Sequence, residues 1–291
     1  MKDKIKLIEC PRDAMQGLKA FIPTEEKISY LNSLLSVGFD TLDFGSFVSP
    51  SAIPQLADTA LLIPKLNLDN SKTKLLAIIA NVRGAREANM FEHISFMGFP
   101  FSISETFQKR NTNSTIEESL STVEQSWNIC DRSGKQLVVY LSMGFGNPYG
   151  DKWNSEIVMQ WTKRLVQLGV KIISLADTVG IAKPDDISNL YKQLIPEFPS
   201  VEFGGHFHTK PNEWREKIEA AYNNGCRRFD GALKGYGGCP MADDELIGNM
   251  PTENLISFAE ENKINSELNK TELLSALNSA DQLFSKYNRH I

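Results

Sequence analysis

The sequence predicts an α/β protein built as a closed parallel barrel, the (β/α)8 or TIM barrel, with extra C-terminal helices. Eight short runs rich in β-branched or aromatic residues alternate with segments of helical periodicity. Several of these runs, including residues 75–80 and 137–141, are almost continuously apolar, which is typical of strands buried on both faces of a parallel sheet. Eight successive right-handed βα units can close into a barrel, although an open doubly wound sheet is the competing architecture.

The eight predicted strands recur along the whole chain. They span residues 5–10, 41–47, 74–80, 93–99, 136–143, 171–177, 201–208 and 226–233. No Gly/Ser-rich or Pro-rich linker interrupts the alternation, and one barrel of this type needs about 250 residues. We therefore expect residues 1–291 to form a single barrel domain.

Helices are predicted between the strands from their start and stop signals. Thr24 begins a periodic segment that Gly38 ends, and Thr115 begins another with an acidic first turn. The remaining predicted helices are residues 155–168, a short segment from Pro184, residues 211–224 with Pro211 in the first turn, and the C-terminal segments 252–261 and 271–286. We expect the last two to pack on the outside of the barrel or to extend it.

Composition excludes several classes of protein. With 31 Lys+Arg against 36 Asp+Glu the net charge is −5, so the chain has no basic excess for binding nucleic acid, and 41% hydrophobic residues exclude a disordered chain. No apolar run is long enough for a membrane span, and the N-terminus lacks the apolar core of a signal peptide. Four widely spaced cysteines favour reduced thiols. We therefore expect a cytoplasmic protein with no membrane partner.

Polar residues follow the predicted strands at the end where barrels of this kind carry their active sites. His206 and His208 are the sharpest feature, because they are two of only four histidines and close the seventh strand. Side chains two residues apart on a strand point to the same face, so both imidazoles would enter the mouth of the barrel. Such a pair can bind one metal ion, with Mn²⁺ or Mg²⁺ suiting a six-coordinate site better than Zn²⁺. The alternative is a pair of hydrogen-bonded structural histidines.

Two other strand ends carry candidate groups. Asp13 follows the first strand and is the natural third ligand, although a turn or helix-cap aspartate is the alternative reading. Arg12 beside it suits a site that holds a metal and an oxyanion together, or is simply solvated. Cys239 lies in a glycine-rich turn after the eighth strand, where it either approaches a ligand or is incidental to a tight turn.

These motifs together resemble the 3-hydroxy-3-methylglutaryl-CoA lyase family of metal-dependent barrel lyases. The resemblance covers nearly the whole chain and rests on seven segments in the family's order. They are residues 11–16 (PRDAMQ), 46–50 (SFVSP) with 54–55, 81–84 (NVRG), 104–119 with its STIEES end, 174–180 (SLADTVG), 205–208 (GHFH), and 237–240 (GGCP) with 248–249 (GN). Each segment is weakly specific by itself, whereas their common order is highly specific.

The resemblance implies a role for each matching residue. The implied ligands of a divalent cation, usually Mg²⁺ or Mn²⁺, are Asp13, His206, His208 and Asn249. Arg12 would stabilise the enolate oxygen of the departing acetyl-CoA, and Cys239 and Asp177 would take part in proton transfer. The remaining implied residues are Asp43, which stands where the family has a catalytic glutamate, and the substrate-pocket residues Gln16 and Asn81.

The implied reaction is cleavage of 3-hydroxy-3-methylglutaryl-CoA into acetyl-CoA and acetoacetate, and the family also implies a homodimer. Three loops depart from the family pattern: residues 209–212 read TKPN instead of D-T-Y-G, residues 147–151 read NPYGD, and the segment between Cys239 and Asn249 is acidic and one step longer. Because these loops shape the mouth, a related lyase acting on a different 3-hydroxyacyl-CoA or hydroxy acid is the alternative. A non-catalytic barrel used for binding is the third hypothesis.

Overall fold

A closed eight-stranded parallel barrel forms the centre of the molecule, as predicted, and the open sheet is excluded. The structure is a computed structural model that describes residues 4–69, 71–238 and 247–287. The strands are β1 (Lys6–Glu9), β2 (Thr41–Ser46), β3 (Lys74–Ile78), β4 (Ile94–Ser102), β5 (Gln136–Ser142), β6 (Ile172–Asp177), β7 (Glu202–Thr209) and β8 (Arg228–Gly231). Each strand pairs in parallel with its neighbours, and the β1–β8 and β6–β7 pairings complete the ring.

Helices surround this barrel. They are α1 (Pro11–Gln16), α2 (Thr24–Val37), α3 (Thr59–Leu62), α4 (Val82–Asn89), α5 (Glu105–Thr112), α6 (Ile116–Ser133), α7 (Ser155–Gln167), α8 (Pro184–Glu197), α9 (Trp214–Asn223), α10 (Thr252–Glu261) and α11 (Lys270–Tyr287). A two-residue strand, β9 (Gly248–Asn249), pairs antiparallel with the end of β7. None of the helices among the described residues is long and apolar enough to cross a bilayer.

Local signals in the sequence explain where most helices begin and end. Thr115 and Glu118 form a reciprocal capping box at the start of α6, with Thr115 N donating to the Glu118 carboxylate at 2.8 Å. Gly38 ends α2 in the left-handed conformation (φ 86°), which glycine adopts without a steric penalty. The predicted start of α9 at Pro211 was wrong, because Glu213 N donates to Lys210 O in a turn and the helix begins only at Trp214.

The C-terminal helices pack on the outside of the barrel, as predicted. Helix α11 packs along α2, where the rings of Tyr30 and Phe284 meet edge to face with centroids 5.9 Å apart. Helix α10 packs against β8 and is tied to β1 through Glu9, whose carboxylate accepts hydrogen bonds from Leu233 N at 2.9 Å and Thr252 Oγ1 at 2.5 Å. Glu9 is completely buried, and burial raises its pKa to about 8.

We predict that Glu9→Gln flattens the pH dependence of stability. Because the pKa of Glu9 rises from 4.5 to about 8 on folding, its contribution to stability is complete below pH 4.5 and is lost as the pH rises towards 8. As the pH rises between these values, the free energy of unfolding of the variant, measured by urea titration, should therefore increase relative to that of the parent protein. The gain is at most about 1.4 kcal/mol per pH unit.

The matched control is Glu92→Gln, which changes an exposed glutamate outside the helices and strands. Its stability should follow the pH profile of the parent protein. Parallel pH profiles for Glu9→Gln and the parent protein would show that Glu9 is ionised in both folded and unfolded chains.

Candidate active site

Asp13, His206 and His208 converge at the carboxyl-terminal mouth of the barrel. Pro11 begins α1 directly after β1, which places Asp13 in the first turn of a short buried helix. Both histidines lie on β7 on the same side of the strand, with ring centroids 5.3 Å apart. One ligand atom from each of the three residues lies within 4.8 Å of the other two. A single cation can therefore reach all three.

Asn249 joins this group through β9. It pairs with His208 in the antiparallel register, and its Nδ2 donates to Asp13 Oδ2 at 2.7 Å and to the Tyr236 carbonyl at 2.9 Å. Because the amide nitrogen donates both hydrogen bonds, the amide oxygen is the atom that can bind a cation. Gly237 permits the close approach, because a Cβ there would lie 2.7 Å from Asp13 O and 2.8 Å from Asn249 Nδ2, at a φ of +90°.

Asp230 orients His206 from below. It lies on β8 in register with His206, and its Oδ2 lies 3.1 Å from His206 Nδ1, which leaves Nε2 of the ring for a ligand. Burial lowers the pKa of His206, but the hydrogen bond to Asp230 and the charges of Asp230 and Asp13 outweigh it and raise the pKa overall. Burial and the charge of His206 lower the pKa of His208 to about 4, so its imidazole is neutral at pH 7.

A buried guanidinium lies between two carboxylates beside these groups. Arg12 donates from Nε to Asp43 Oδ2 at 3.0 Å and from Nη1 to Asp13 Oδ1 at 2.8 Å. Burial raises the pKa of Asp13, but the charges of Arg12 and the two histidines outweigh it and bring the pKa down to about 2. Burial raises the pKa of Asp43 to about 6 against the opposing effect of Arg12. Both carboxylates are therefore ionised at pH 7 and hold Arg12 in place.

Gln16 completes the network one turn further along α1. Its Oε1 accepts from Arg12 Nη1 at 2.9 Å, and its Nε2 donates to Asp13 Oδ1 at 2.5 Å. The side chain thus bridges the guanidinium and the carboxylate, in addition to lining the pocket as expected.

The mouth opens into a pocket of about 410 Å³. Arg12, Asp13 and both histidines form its polar side, and apolar residues such as Val48 and Ile53 form much of the rest. Residues of β5, β6 and α5 also line it, among them Tyr140, Ser142, Ala176, Thr178, Arg110 and Asn111. A pocket with one apolar wall and one charged wall fits a substrate that has a polar head and a longer organic part.

The structure does not bring Asp177 and Asn81 into this group. Asp177 lies between the pocket residues Ala176 and Thr178, and its carboxylate accepts from Lys217 Nζ at 2.6 Å and from Ala182 N at 3.0 Å. Alternation along β6 explains the difference, because residue 177 faces the helices when its neighbours face the axis. Asn81 is exposed and caps α4, with Oδ1 accepting from Gly84 N at 2.9 Å. Cys239 lies outside the described residues.

Asp230 and Tyr140 are site residues that sequence reasoning missed. Tyr140 lines the pocket, and its ring meets that of His206 edge to face with centroids 5.6 Å apart. A signal for Asp230 was present, because it is the single carboxylate in the predicted strand 226–233. Buried charges in such strands are rare unless they have a partner.

The donor set fits a divalent cation. It consists of one neutral imidazole, a second imidazole oriented by a carboxylate, an ionised carboxylate and an amide oxygen. Six-coordinate sites for Mn²⁺ and Mg²⁺ can use ligands of these kinds. Cys10, His206 and Asp230 form a second triad with ligand atoms within 4.8 Å, but it shares His206 and lies deeper in the barrel. In that triad the Asp230 carboxylate is already the hydrogen-bond partner of His206 Nδ1.

Comparison with known proteins agrees with this geometry. The HMGL-like family model matches residues 4–279. Hydroxymethylglutaryl-CoA lyase YngG of Bacillus subtilis is 31% identical over 279 residues, which are 95% of this chain and 91% of that protein. The cytoplasmic 3-hydroxy-3-methylglutaryl-CoA lyase of Rattus norvegicus is 30% identical over 257 residues, with 88% of this chain and 74% of that protein covered.

Solved structures lead to the same family. The HMG-CoA lyase of Bacillus subtilis superposes with a TM-score of 0.91 at 30% identity, covering 97% of this chain and 94% of that one. An HMG-CoA lyase from Acinetobacter baumannii, solved with coenzyme A and 3-methylmalate, has a TM-score of 0.89 at 28% identity and covers 97% and 92% of the two chains. The carboxyl transferase domain of Rhizobium etli pyruvate carboxylase, at 13% identity, shares the fold alone.

We predict that Asp230→Asn weakens binding of Mn²⁺ by about 10- to 100-fold, because His206 loses the charged partner that orients its ring. Isothermal titration of the metal-free protein with Mn²⁺ measures the effect, and circular dichroism checks the fold. Asp281→Asn, on the surface helix α11, is the control and should bind Mn²⁺ like the parent protein. Equal affinity for the Asp230 variant would mean that His206 needs no second partner.

Proposed function

The chain belongs to the HMGL-like family, and we propose that it cleaves 3-hydroxy-3-methylglutaryl-CoA into acetyl-CoA and acetoacetate with a divalent cation bound at the mouth of the barrel. One observation carries the proposal: Asp13, His206 and His208 offer a common cation site directly beside the buried guanidinium of Arg12. The reaction needs both groups, because negative charge develops at two separate places on the substrate.

The bond that breaks joins C2 and C3 of the acyl group. The C3 hydroxyl loses its proton and becomes the ketone oxygen of acetoacetate. The electron pair of the C2–C3 bond moves into the thioester, giving the enolate of acetyl-CoA, which then takes a proton at C2. A catalyst must therefore remove one proton, stabilise an enolate oxygen and return one proton.

Asp13, His206, His208 and Asn249 are the residues that would hold the cation. When bound, a divalent cation supplies Lewis acidity to substrate oxygens, which makes the C3 hydroxyl easier to deprotonate. We propose Mg²⁺ or Mn²⁺ as this ion, with Zn²⁺ a poorer match for a donor set that is half oxygen. The neutral His208 imidazole and the ionised Asp13 carboxylate are the protonation states that such binding requires at pH 7.

Arg12 is the residue that we assign to the enolate oxygen. Its guanidinium is positioned before the substrate arrives, since Asp43 and Asp13 hold it from two sides. A fixed positive charge stabilises the transition state, in which charge reaches the thioester oxygen, more than the ground state. Asp43 is therefore a positioning residue here. Gln16 has the same effect through its bonds to Arg12 and Asp13.

Proton transfer is assigned to Cys239, on the strength of the family resemblance. For Asp177 we propose a positioning role in place of proton transfer, because Lys217 joins its carboxylate to the carbonyl oxygen of His208, with an Nζ–O distance of 2.9 Å. That ion pair supports the strand end that carries a ligand. We propose further that the whole chain is one catalytic domain. It would act on an acyl-CoA as a homodimer in the cytoplasm.

We predict that the purified protein releases acetoacetate from 3-hydroxy-3-methylglutaryl-CoA only when Mg²⁺ or Mn²⁺ is present. A coupled spectrophotometric assay of acetoacetate measures the rate, before and after treatment with EDTA and after the cation is restored. His206→Ala, which removes a ligand, should lose the activity and keep the circular dichroism spectrum of the parent protein. Cleavage that persists in EDTA, or its absence with both cations, would contradict the proposal.

We also predict that Arg12→Lys lowers kcat by about 100- to 1,000-fold, or roughly 3 to 4 kcal/mol in barrier height. A lysine ammonium cannot reproduce the fork that Asp43 and Asp13 hold, so the charge is no longer fixed at the enolate oxygen. Steady-state kinetics with saturating Mn²⁺ measure kcat and KM separately. Arg83→Lys, an exposed arginine on α4, should be indistinguishable from the parent protein. A loss of less than about tenfold would remove Arg12 from transition-state stabilisation.

A further inference from the structure

Charged residues also begin four of the barrel strands, at the end opposite the mouth. Lys6, Lys74, Glu202 and Arg228 are the first residues of β1, β3, β7 and β8. Lys6 Nζ lies 2.6 Å from Glu202 Oε2, although β8 separates their strands, so these side chains meet across the end of β8. Two cationic groups, Lys6 and Arg228, thus share the Glu202 carboxylate at the amino-terminal end of the barrel, and Lys74 adds a third positive charge at the same end.

Arg228 is the unusual member of this group. It is only 1% exposed, and within the described residues its Nε and Nη2 have no hydrogen-bond partner. The ion pair that it makes in the described part of the chain is long, with Nη1 3.6 Å from Glu202 Oε1, and Glu202 is shared with Lys6. A buried guanidinium with unmatched donors is costly, so a feature of this kind is retained only where something compensates it.

The ring of Phe96 contacts both Lys74 and Arg228. The Lys74 ammonium and the Arg228 guanidinium both lie 5.8 Å from its centroid. A cation–π contact partly stabilises each charge but neutralises neither. Positive charge at this end of the barrel therefore exceeds what Glu202 balances.

A cavity of about 800 Å³ opens onto these groups. Lys6, Lys74, Phe96 and Arg228 line it, together with two further lysines at positions 4 and 72. Its acidic residues are Asp40, Asp69 and Glu267, of which Glu267 is paired with Lys4 at 2.8 Å. Five cationic groups thus line the cavity against three carboxylates, and among the residues that the structure describes Arg228 retains donors without a partner.

We propose that this cavity binds a compact oxyanion, a phosphate or a small dicarboxylate. Ionised oxygens match ammonium and guanidinium donors in charge and in hydrogen-bonding geometry, and they would compensate the excess charge around Arg228. The ligand would join the first residues of β1, β3 and β8, and would stabilise the closed barrel in proportion to its occupancy. The site lies at the other end of the strands from Arg12 and does not depend on the proposed reaction.

Inorganic phosphate and succinate are the probes, each titrated into the Mg²⁺-loaded protein at constant ionic strength. Isothermal titration should show saturable binding of at least one of them, with a rise in melting temperature. Lys74→Ala, at an exposed side chain, should raise the dissociation constant at least about tenfold, as expected when a charged hydrogen-bond donor is lost. Preference for phosphate over succinate would identify a phosphate site, and the reverse a carboxylate site.

Three controls separate this site from the mouth. Lys163→Ala, an exposed lysine on α7, should bind the probe like the parent protein, and so should Arg12→Lys. Lys74→Ala should keep the parent rate of 3-hydroxy-3-methylglutaryl-CoA cleavage, since it lies far along the strands from the mouth. Binding that survives Lys74→Ala, binding lost in Arg12→Lys, or no binding of either probe in the millimolar range would overturn the proposal.

Discussion

The buried guanidinium of Arg12, held between Asp13 and Asp43, is the interaction on which the arrangement of the mouth depends. The two carboxylates bind Arg12 in different ways. Asp43 receives its Nε and Nη2 and fixes the direction of the fork, whereas Asp13 receives only Nη1 and keeps its second oxygen for Asn249 and a cation. Removing Arg12 would leave two buried carboxylates without their cationic partner, which is expensive in a low-dielectric interior.

The same pattern of partners extends outwards from the candidate ligands. Asp230 serves His206, and Lys217 joins Asp177, Gly180 and the backbone of His208. The two candidate histidine ligands are thus each supported by a residue on a neighbouring strand or helix. Such support restricts the motion of ligands that belong to short loops and strand ends, and this accuracy of placement is what metal binding and charge stabilisation require.

The strands and most of the ligand group could be predicted because they depend on local patterns. Continuous apolar runs reveal strands buried on both faces, and two histidines at spacing two must share a face. The direction of the Asp177 side chain could not be predicted, because a strand that is buried on both faces shows no alternation that tells which of its residues face the axis. At Pro211 a turn takes the place of the expected helix start. Asn81 caps α4, and its role in the substrate pocket stays a prediction. Arg227 and Arg228 are adjacent arginines, and the sequence does not indicate which of the two is buried. The closed barrel buries Arg228.

The candidate cation ligands come from residue 13 and from residues 206, 208 and 249, so the first and last barrel units must meet before the candidate site exists. A chain emerging from the ribosome would therefore be unable to hold an ion with all four residues until residue 249 had been synthesised and had folded against β7. Retention of the ion would then report that the barrel has closed.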